Sequence, residues 1–442
     1  MYESDDQGLE RSPFADREDA IGARLERIAG MERQVCALQA AQVHETADYV
    51  RDRLQLDDDM GVPSSPARQR CMAAEVALAR GVSVGSAEIF MADAYELSTA
   101  HPATMGMLAA GRLGLFAAKS IVHETQLLND ACLKALADEV IAEEAVDVLP
   151  GKVRALAERR VIEIDPDAAA RRAVVEREDK QVHYLPTGES MATLNAYLPA
   201  EQAAACWHAL DDHARALRAA GDPRSIRHLM CDTLVERVTG LTRADTVKAH
   251  VNLVMSDTTM LGIDDKPAHL IGYGPIPAQV ARLIASSGSA WLKRLYTDPV
   301  TGEVTAADSR RRRFDGALRD LITIRDQQCR GIRCASPIRD IDHPVEYASG
   351  GHTTPANAQG LSKNCHTTRE HPRMRVVPDA DTSLITWRTP SGLTYRSLPP
   401  PALGPGSLKP AQVRLRHRLL HPPPSQQERQ LLRYLTHRRH AG

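Results

Sequence analysis

Residues 325–372 read RDQQCRGIRCASPIRDIDHPVEYASGGHTTPANAQGLSKNCHTTREHP. Within this stretch Cys329, Cys334 and Cys365 cluster, an Asp–His pair stands at Asp342 and His343, and two adjacent glycines follow at Gly350 and Gly351. Thr353, Asn357 and the Cys365–His366 pair complete a run of metal-ligating and hydrogen-bonding side chains. In a reducing compartment, cysteines at such spacing speak for a metal more than for a disulfide. The paired glycines allow a turn free of side chains, so that the chain can double back.

Outward from this stretch the charge is uneven. From Val304 to the end there are 23 Lys and Arg against 11 Asp and Glu, and the residues before it hold 32 against 46. The net charge of −2 therefore hides a basic C-terminal third, and opposed halves of this kind suggest a polyanionic partner for the basic one. An unbroken run, Arg310, Arg311, Arg312 and Arg313, precedes a predicted helix at FDGALRDLITIRD, and the tail adds Arg414, Arg416, Arg418, Arg429, Arg433, Arg438 and Arg439. Such residues supply sequence-independent, salt-sensitive phosphate affinity and no base recognition.

With 442 residues the chain has room for about three domains, and its 43% hydrophobic and 25% charged content is ordinary for a soluble protein. Abundant alanine and only 4% aromatic residues lean helical. The expected fold is mainly α with α+β elements. Residues 1–16 are polar and expected to be disordered, and a long first helix starts at ADREDAIGARL. Helices are expected at SPARQRCMAAEVALARG, SVGSAEIFMADAYELSTA, LGLFAAKSIVHETQLL, NDACLKALADEVIAEEA and LPGKVRALAERR, each opened or bounded by capping and breaking residues. After a sub-boundary near 150–165, DPDAAARRAVVERE reads as helix, and VHYLPTGESMATLNAYLP alternates about Thr187 and Gly188 as a hairpin. Two further helices, a strand at HVNLVMS and a hairpin in WLKRLYTDPVTGEVTAAD follow, then short strands at RMRVVPD and SLITWRTPSGLTYRSL. Trp387 and Tyr395 on these strands read as core. Cys36, Cys71, Cys132, Cys206 and Cys231 read as small buried hydrophobes. There is no apolar run long enough to span a membrane and no leader-like start, so a cytoplasmic location and no membrane contact are expected.

The 325–372 stretch resembles the HNH endonuclease motif in the order and spacing of Cys329, Cys334, Asp342, His343, Gly350, Gly351, Thr353, Asn357, Cys365 and His366. Upstream, DPDAAARR, LPAEQAAACWHALDDHA, DTLVERVTG, YGPIP and LKRLYTDPVTGE resemble the DUF222 family, also called the 13E12 repeat family, whose members commonly carry a C-terminal HNH module. The resemblance implies a DUF222-like region over 17–310, an HNH module with flanking helix and hairpin over 311–398, and a proline-rich linker and basic tail over 399–442. HNH modules have a ββα fold gripping one metal. The resemblance makes His343 the general base, Asp342 and His366 ligands of Mg2+ or a similar divalent cation, and Asn357 the residue that holds the loop and orients His343. His343, Asn357 and His366 form the implied catalytic set, with DNA as partner and Arg310–Arg313 and Arg369 contacting phosphate.

Related modules often add a structural Zn2+ held by two cysteine pairs. Here LSKNC puts Ser362 in place of one thiolate, and a hydroxyl is a poor zinc ligand. Cys329, Cys334 and Cys365 remain, to be completed by His371, His352 or water, or simply to pack. Two other readings stay open: a nucleic-acid-binding protein that keeps the HNH fold without catalysis, and a helical region that serves as a homo-oligomerisation platform.

Overall fold

The computed structural model describes residues 15–146, 148–167, 170, 174, 176–241, 253–286, 314, 316–379, 382–404 and 408–421. The first part is helical, with α1 (Ala15–Asp59), α2 (Pro66–Arg80), α3 (Val84–Ala100), α4 (Pro102–Ala109), α5 (Leu115–Thr125), α6 (Ala131–Ala145) and α7 (Val153–Ile164). Then come β1 (Gln181–Gly188), β2 (Met191–Tyr197), α8 (Ala200–Ala219), α9 (Ile226–Thr239), β3 (Leu253–Val254), α10 (Asp257–Met260), β4 (Ala268–Leu270), β5 (Gly274–Ile276) and α11 (Ala278–Ser286). The last part holds α12 (Gly316–Asp326), β6 (Asp340–Asp342), β7 (Gln359–Leu361), α13 (Lys363–Arg369), β8 (Arg375–Pro378), β9 (Ile385–Arg388), β10 (Thr394–Ser397) and α14 (Pro410–Leu420). The protein is mainly helical with small antiparallel sheets, as composition suggested.

Local chemistry explains the helix ends. Ser65 caps α2 by accepting from the Arg68 amide, Pro66 supplies the preset φ of the first turn, and Gly81 at φ 74° ends the helix in the left-handed region. Asp130 caps α6. The start of α4 is capped from outside. The buried Asp138 carboxylate of α6 accepts from the Ala103 and Thr104 amides at 2.7 and 3.1 Å and from the Thr104 hydroxyl.

The chain divides into two compact units, one of the described residues of Met1–Gly61 and Glu88–Val175, the other of Val62–Ala87 and Glu176–Gly442. The first has a core in which Val43, Leu97, Leu108, Ile121, Ile141 and Val161 are buried, at helical spacing on their respective elements.

The second unit contains α2. Cys71 and Ala74 of that helix pack in one apolar cluster with Cys329, Leu361, Cys365 and Trp387. The buried Glu75 accepts from the Ser391 amide at 2.7 Å, and Arg333 donates to the Gly81 carbonyl at 3.3 Å. An element from the start of the chain thus completes the core of its end. β6 and β7 pair antiparallel with Asp342 opposite Gln359 and are followed directly by α13. β8, β9 and β10 form an antiparallel meander carrying the fully buried Trp387.

Several expectations are corrected. The β1–β2 hairpin turns at Glu189 and Ser190, both at positive φ, instead of at Thr187 and Gly188. Cys132, Cys206 and Cys231 are exposed; only Cys36 and Cys71 of the lone cysteines are buried. Residues 410–420, taken as linker and tail, form α14. The helix α4 was not foreseen, because Pro102 at its start resembles a break. The hairpin expected in 291–308, the run Arg310–Arg313 and the arginines beyond residue 421 lie outside the described residues.

One buried network ties the last part together. Asp326, at the end of α12, has no solvent exposure. It accepts from Arg325 at 2.7 and 3.0 Å and from the Gly360 amide of β7 at 2.7 Å, and Arg330 lies 3.7 Å away. Arg325 also donates to the Ala358 carbonyl, and Arg330 to the carbonyls of Ser383 and Ser397. Removing one member of a buried ionic group strands the others. Asp326→Ala is expected to cost about 3–5 kcal/mol in urea denaturation followed at the C-terminal unit, and a loss under 1 kcal/mol would mean the network carries little.

Candidate functional site

Asp342 ends β6, nearly buried. Its Oδ2 accepts from Nε2 of the fully buried Gln359, directly across the strand pair, at 2.9 Å. Its Oδ1 accepts from Arg369 Nη1 at 2.6 Å and lies 4.0 Å from His366 Nε2. His366 and Arg369 sit three residues apart on α13 and so share a face. Ser362 fixes the start of that helix by accepting from the Cys365 amide. The second Arg369 nitrogen donates to the Pro344 carbonyl at 3.1 Å.

Mg2+ bonds to oxygen at about 2.1 Å and keeps several waters or phosphate oxygens in its shell. Donors 4.0 Å apart can both reach one such ion. A carboxylate oxygen and a half-exposed imidazole could together hold a divalent cation, with the exposed side left for water. Arg369 shares the same oxygen, so it already supplies positive charge there.

His343 follows Asp342. Its Nε2 is 3.0 Å from Oγ1 of the buried Thr353. Its ring lies against Phe314, with centroids 4.4 Å apart, and edge-on to Tyr347 at 6.1 Å. The expected role of Asn357 is thereby corrected in part. Its Oδ1 accepts from the Val345 amide at 2.8 Å, and its Nδ2 donates to the carbonyls of Val345 and His352 at 2.9 and 3.0 Å. Asn357 staples the loop, and Thr353 engages His343. The loop needs its glycines: Gly350 has φ 90°, and a Cβ on Gly351 would lie 1.9 Å from the Val345 carbonyl oxygen. Phe314 was missed in the sequence because a lone aromatic before a helix carries no signal of what it stacks on.

The Sγ atoms of Cys329, Cys334 and Cys365 lie within 4.8 Å of one another. Ser362 Oγ is 3.6 Å from Cys334 Sγ. Neither His352 nor His371 belongs to this cluster; His371 Nδ1 accepts from the Arg373 amide instead. Gly331 lets the chain pass close, since a Cβ there would meet Cys365 Sγ at 2.4 Å. The thiols bond one another, which holds Cys334 far below the usual thiol range and pushes Cys329 and Cys365 up. A metal such as zinc could be held by the three sulfurs, displacing protons as it binds.

A family model described as Domain of unknown function (DUF222) matches residues 23–326. The chain belongs to the DUF222 family. The match ends at Asp326, so the Asp342 and cysteine sites lie beyond it, whereas α2, which packs beneath them, lies within it. No curated protein and no solved structure matches the chain. Among the described residues no helix is long and apolar enough to cross a membrane.

Of the residues singled out in the sequence, the structure brings together Asp342, His366 and Arg369, places His343 and Asn357 on the adjoining loop, and gathers the three cysteines. Restoring a fourth thiolate should close the cysteine site. Ser362→Cys is expected to bind Zn2+ at least about tenfold tighter than the parent in a chelator competition. Equal affinity in both would show that the fourth corner is filled from elsewhere.

Proposed function

We propose that this protein is a metal-dependent endonuclease of the HNH type that hydrolyses DNA phosphodiester bonds. The observation that carries the reading is the 4.0 Å approach of Asp342 Oδ1 and His366 Nε2 on a strand, strand, helix unit whose loop also carries His343. A bound divalent cation supplies charge to offset that building on the phosphoryl and departing 3′ oxygens. Asp342 and His366 would hold it, and Gln359 fixes the carboxylate by donating to its other oxygen.

His343 takes the proton of the attacking water. Thr353 Oγ1, 3.0 Å from Nε2, holds the imidazole in place. Phe314 limits the swing of the ring. Water oxygen then bonds to phosphorus as the bond to the 3′ oxygen breaks, and the departing 3′ alkoxide takes a proton from solvent water. Asn357 keeps the loop between β6 and β7 closed, and Arg369 is placed to exchange its bond to Asp342 for one to phosphate. The excess of basic residues after Val304 favours a polyanion at this end of the chain. The thiol cluster suits a reducing compartment such as the cytoplasm.

A second reading, DNA binding without cleavage, is favoured by two observations: Ser362, where the resemblance implies a fourth thiolate, lies 3.6 Å from Cys334 Sγ, and the Arg369 guanidinium sits on the proposed ligand Asp342. Plasmid nicking with Mg2+ or Mn2+ separates the two. His343→Ala is expected to lower the nicking rate about 100-fold or more while leaving DNA retention intact. Nicking that is unchanged in the variant would remove His343 from the chemistry, and salt-sensitive binding with no nicking in any metal would favour the second reading.

Because a neighbouring cation raises the cost of adding another, Arg369→Gln should bind Mn2+ about tenfold tighter than the parent in calorimetry without DNA. An unchanged Mn2+ affinity would mean that Arg369 does not compete for Asp342.

A further inference from the structure

Helix α1 is 45 residues long, and only part of it packs within its own unit. Cys36, Ala40, Val43, Ala47 and Val50 form its buried stripe. A different stripe, Ile21, Leu25, Ile28, Met31, Val35 and Leu38, faces solvent, with exposures from 44% at Val35 to 71% at Leu38. Before Cys36 no residue of α1 whose side chain is described is buried. Gly22 and Gly30 weaken this same stretch as an isolated helix, and helices of such sequence owe their stability to packing.

The exposed stripe follows a heptad. Ile21, Ile28 and Val35 occupy successive a positions, Met31 and Leu38 occupy d positions, and Leu25 flanks the seam at e. Arg24 is the one charged residue on a seam position between Ile21 and Leu38, and its long stem can lie along the apolar surface with its head in water. All three a positions are β-branched, and the last d position is Leu38, a pattern that leans towards two parallel strands. The flanking charges agree. In a parallel, in-register pair the g residue of one helix meets the e residue of the next heptad on the other, which sets Arg27 against Glu32 of a second copy, twice by symmetry. The following pair is Gln34 with Gln39, so no like charges meet along the seam.

We propose that α1 pairs with α1 of a second copy of this chain as a parallel, in-register two-stranded coiled coil over Ile21–Leu38. The stripe is then the dimer core and the projecting half of α1 gains the packing it lacks. The pairing stands whether or not the C-terminal units cut DNA.

Sedimentation equilibrium of the full chain tests it. The parent is expected to approach twice its 48.4 kDa mass with rising concentration. Ile28→Lys/Leu38→Lys should raise the dimer dissociation constant about 100-fold or more while the thermal unfolding midpoint of the monomer stays that of the diluted parent, since both positions are exposed in the single chain. Arg27→Glu should weaken the dimer about threefold to tenfold, and Arg27→Glu/Glu32→Arg should restore it. A chain that stays monomeric throughout, or a dimer indifferent to the two lysines, overturns the proposal. A dimer broken by the lysines but not rescued by the charge swap overturns the parallel, in-register arrangement.

Discussion

A carboxylate without access to water governs how the C-terminal unit is built. Asp326 closes α12, and its oxygens are shared between the Arg325 guanidinium and the Gly360 amide, with Arg330 beside it. Burying an anion is costly unless cations and donors surround it, so helix, strand and arginines must arrive together. Gly360 lies between Gln359, which holds Asp342, and Leu361, which pairs with Asp340. Arg330 carries the same constraint on to Ser383 and Ser397, at the edge of the β8–β10 meander. The position of Asp342 is therefore set by a chain of bonds that begins at a residue with no part in the proposed chemistry.

The second constraint is apolar. Helix α2, hundreds of residues earlier in the chain, supplies Cys71 and Ala74 to the cluster around Trp387 and the cysteines. The DUF222 match covers α2 and stops at Asp326. Family region and site region are thus distinct in sequence but share one hydrophobic core. α2 lies against α13, the helix that presents His366 and Arg369, so the packing of an early helix bears directly on the site.

Much of this was legible in the residues, and the limits have physical reasons. Helices α1, α2, α3, α5 and α6 announce themselves through caps and apolar spacing, which are local properties. The approach of Asp342 to His366 was expected only through the resemblance to the HNH motif, and the cysteine grouping through the clustering of the three cysteines in a metal-ligand-like spacing. Partners set by tertiary contact were not. That Thr353 rather than Asn357 meets His343, that Phe314 stacks on it, and that Arg369 turns inward to Asp342 all depend on how a loop folds back. Three alanine-rich surroundings misled the reading of Cys132, Cys206 and Cys231, because alanine populates exposed and buried helix faces alike.

One positive charge, the Arg369 guanidinium, already sits on the carboxylate that the proposed reading gives to a cation. Arg369 at 2.6 Å satisfies Asp342 Oδ1, and a divalent ion bridging to His366 would claim the same oxygen. Phosphate can draw the guanidinium away, which would link cation binding to the arrival of a nucleic acid. The most direct measurement is anomalous scattering from crystals of the protein soaked in Mn2+ with a short DNA duplex. The account predicts a peak within coordination distance of both Asp342 Oδ1 and His366 Nε2, with Arg369 turned to a phosphate. Anomalous density elsewhere only, with Arg369 still on Asp342, would contradict it.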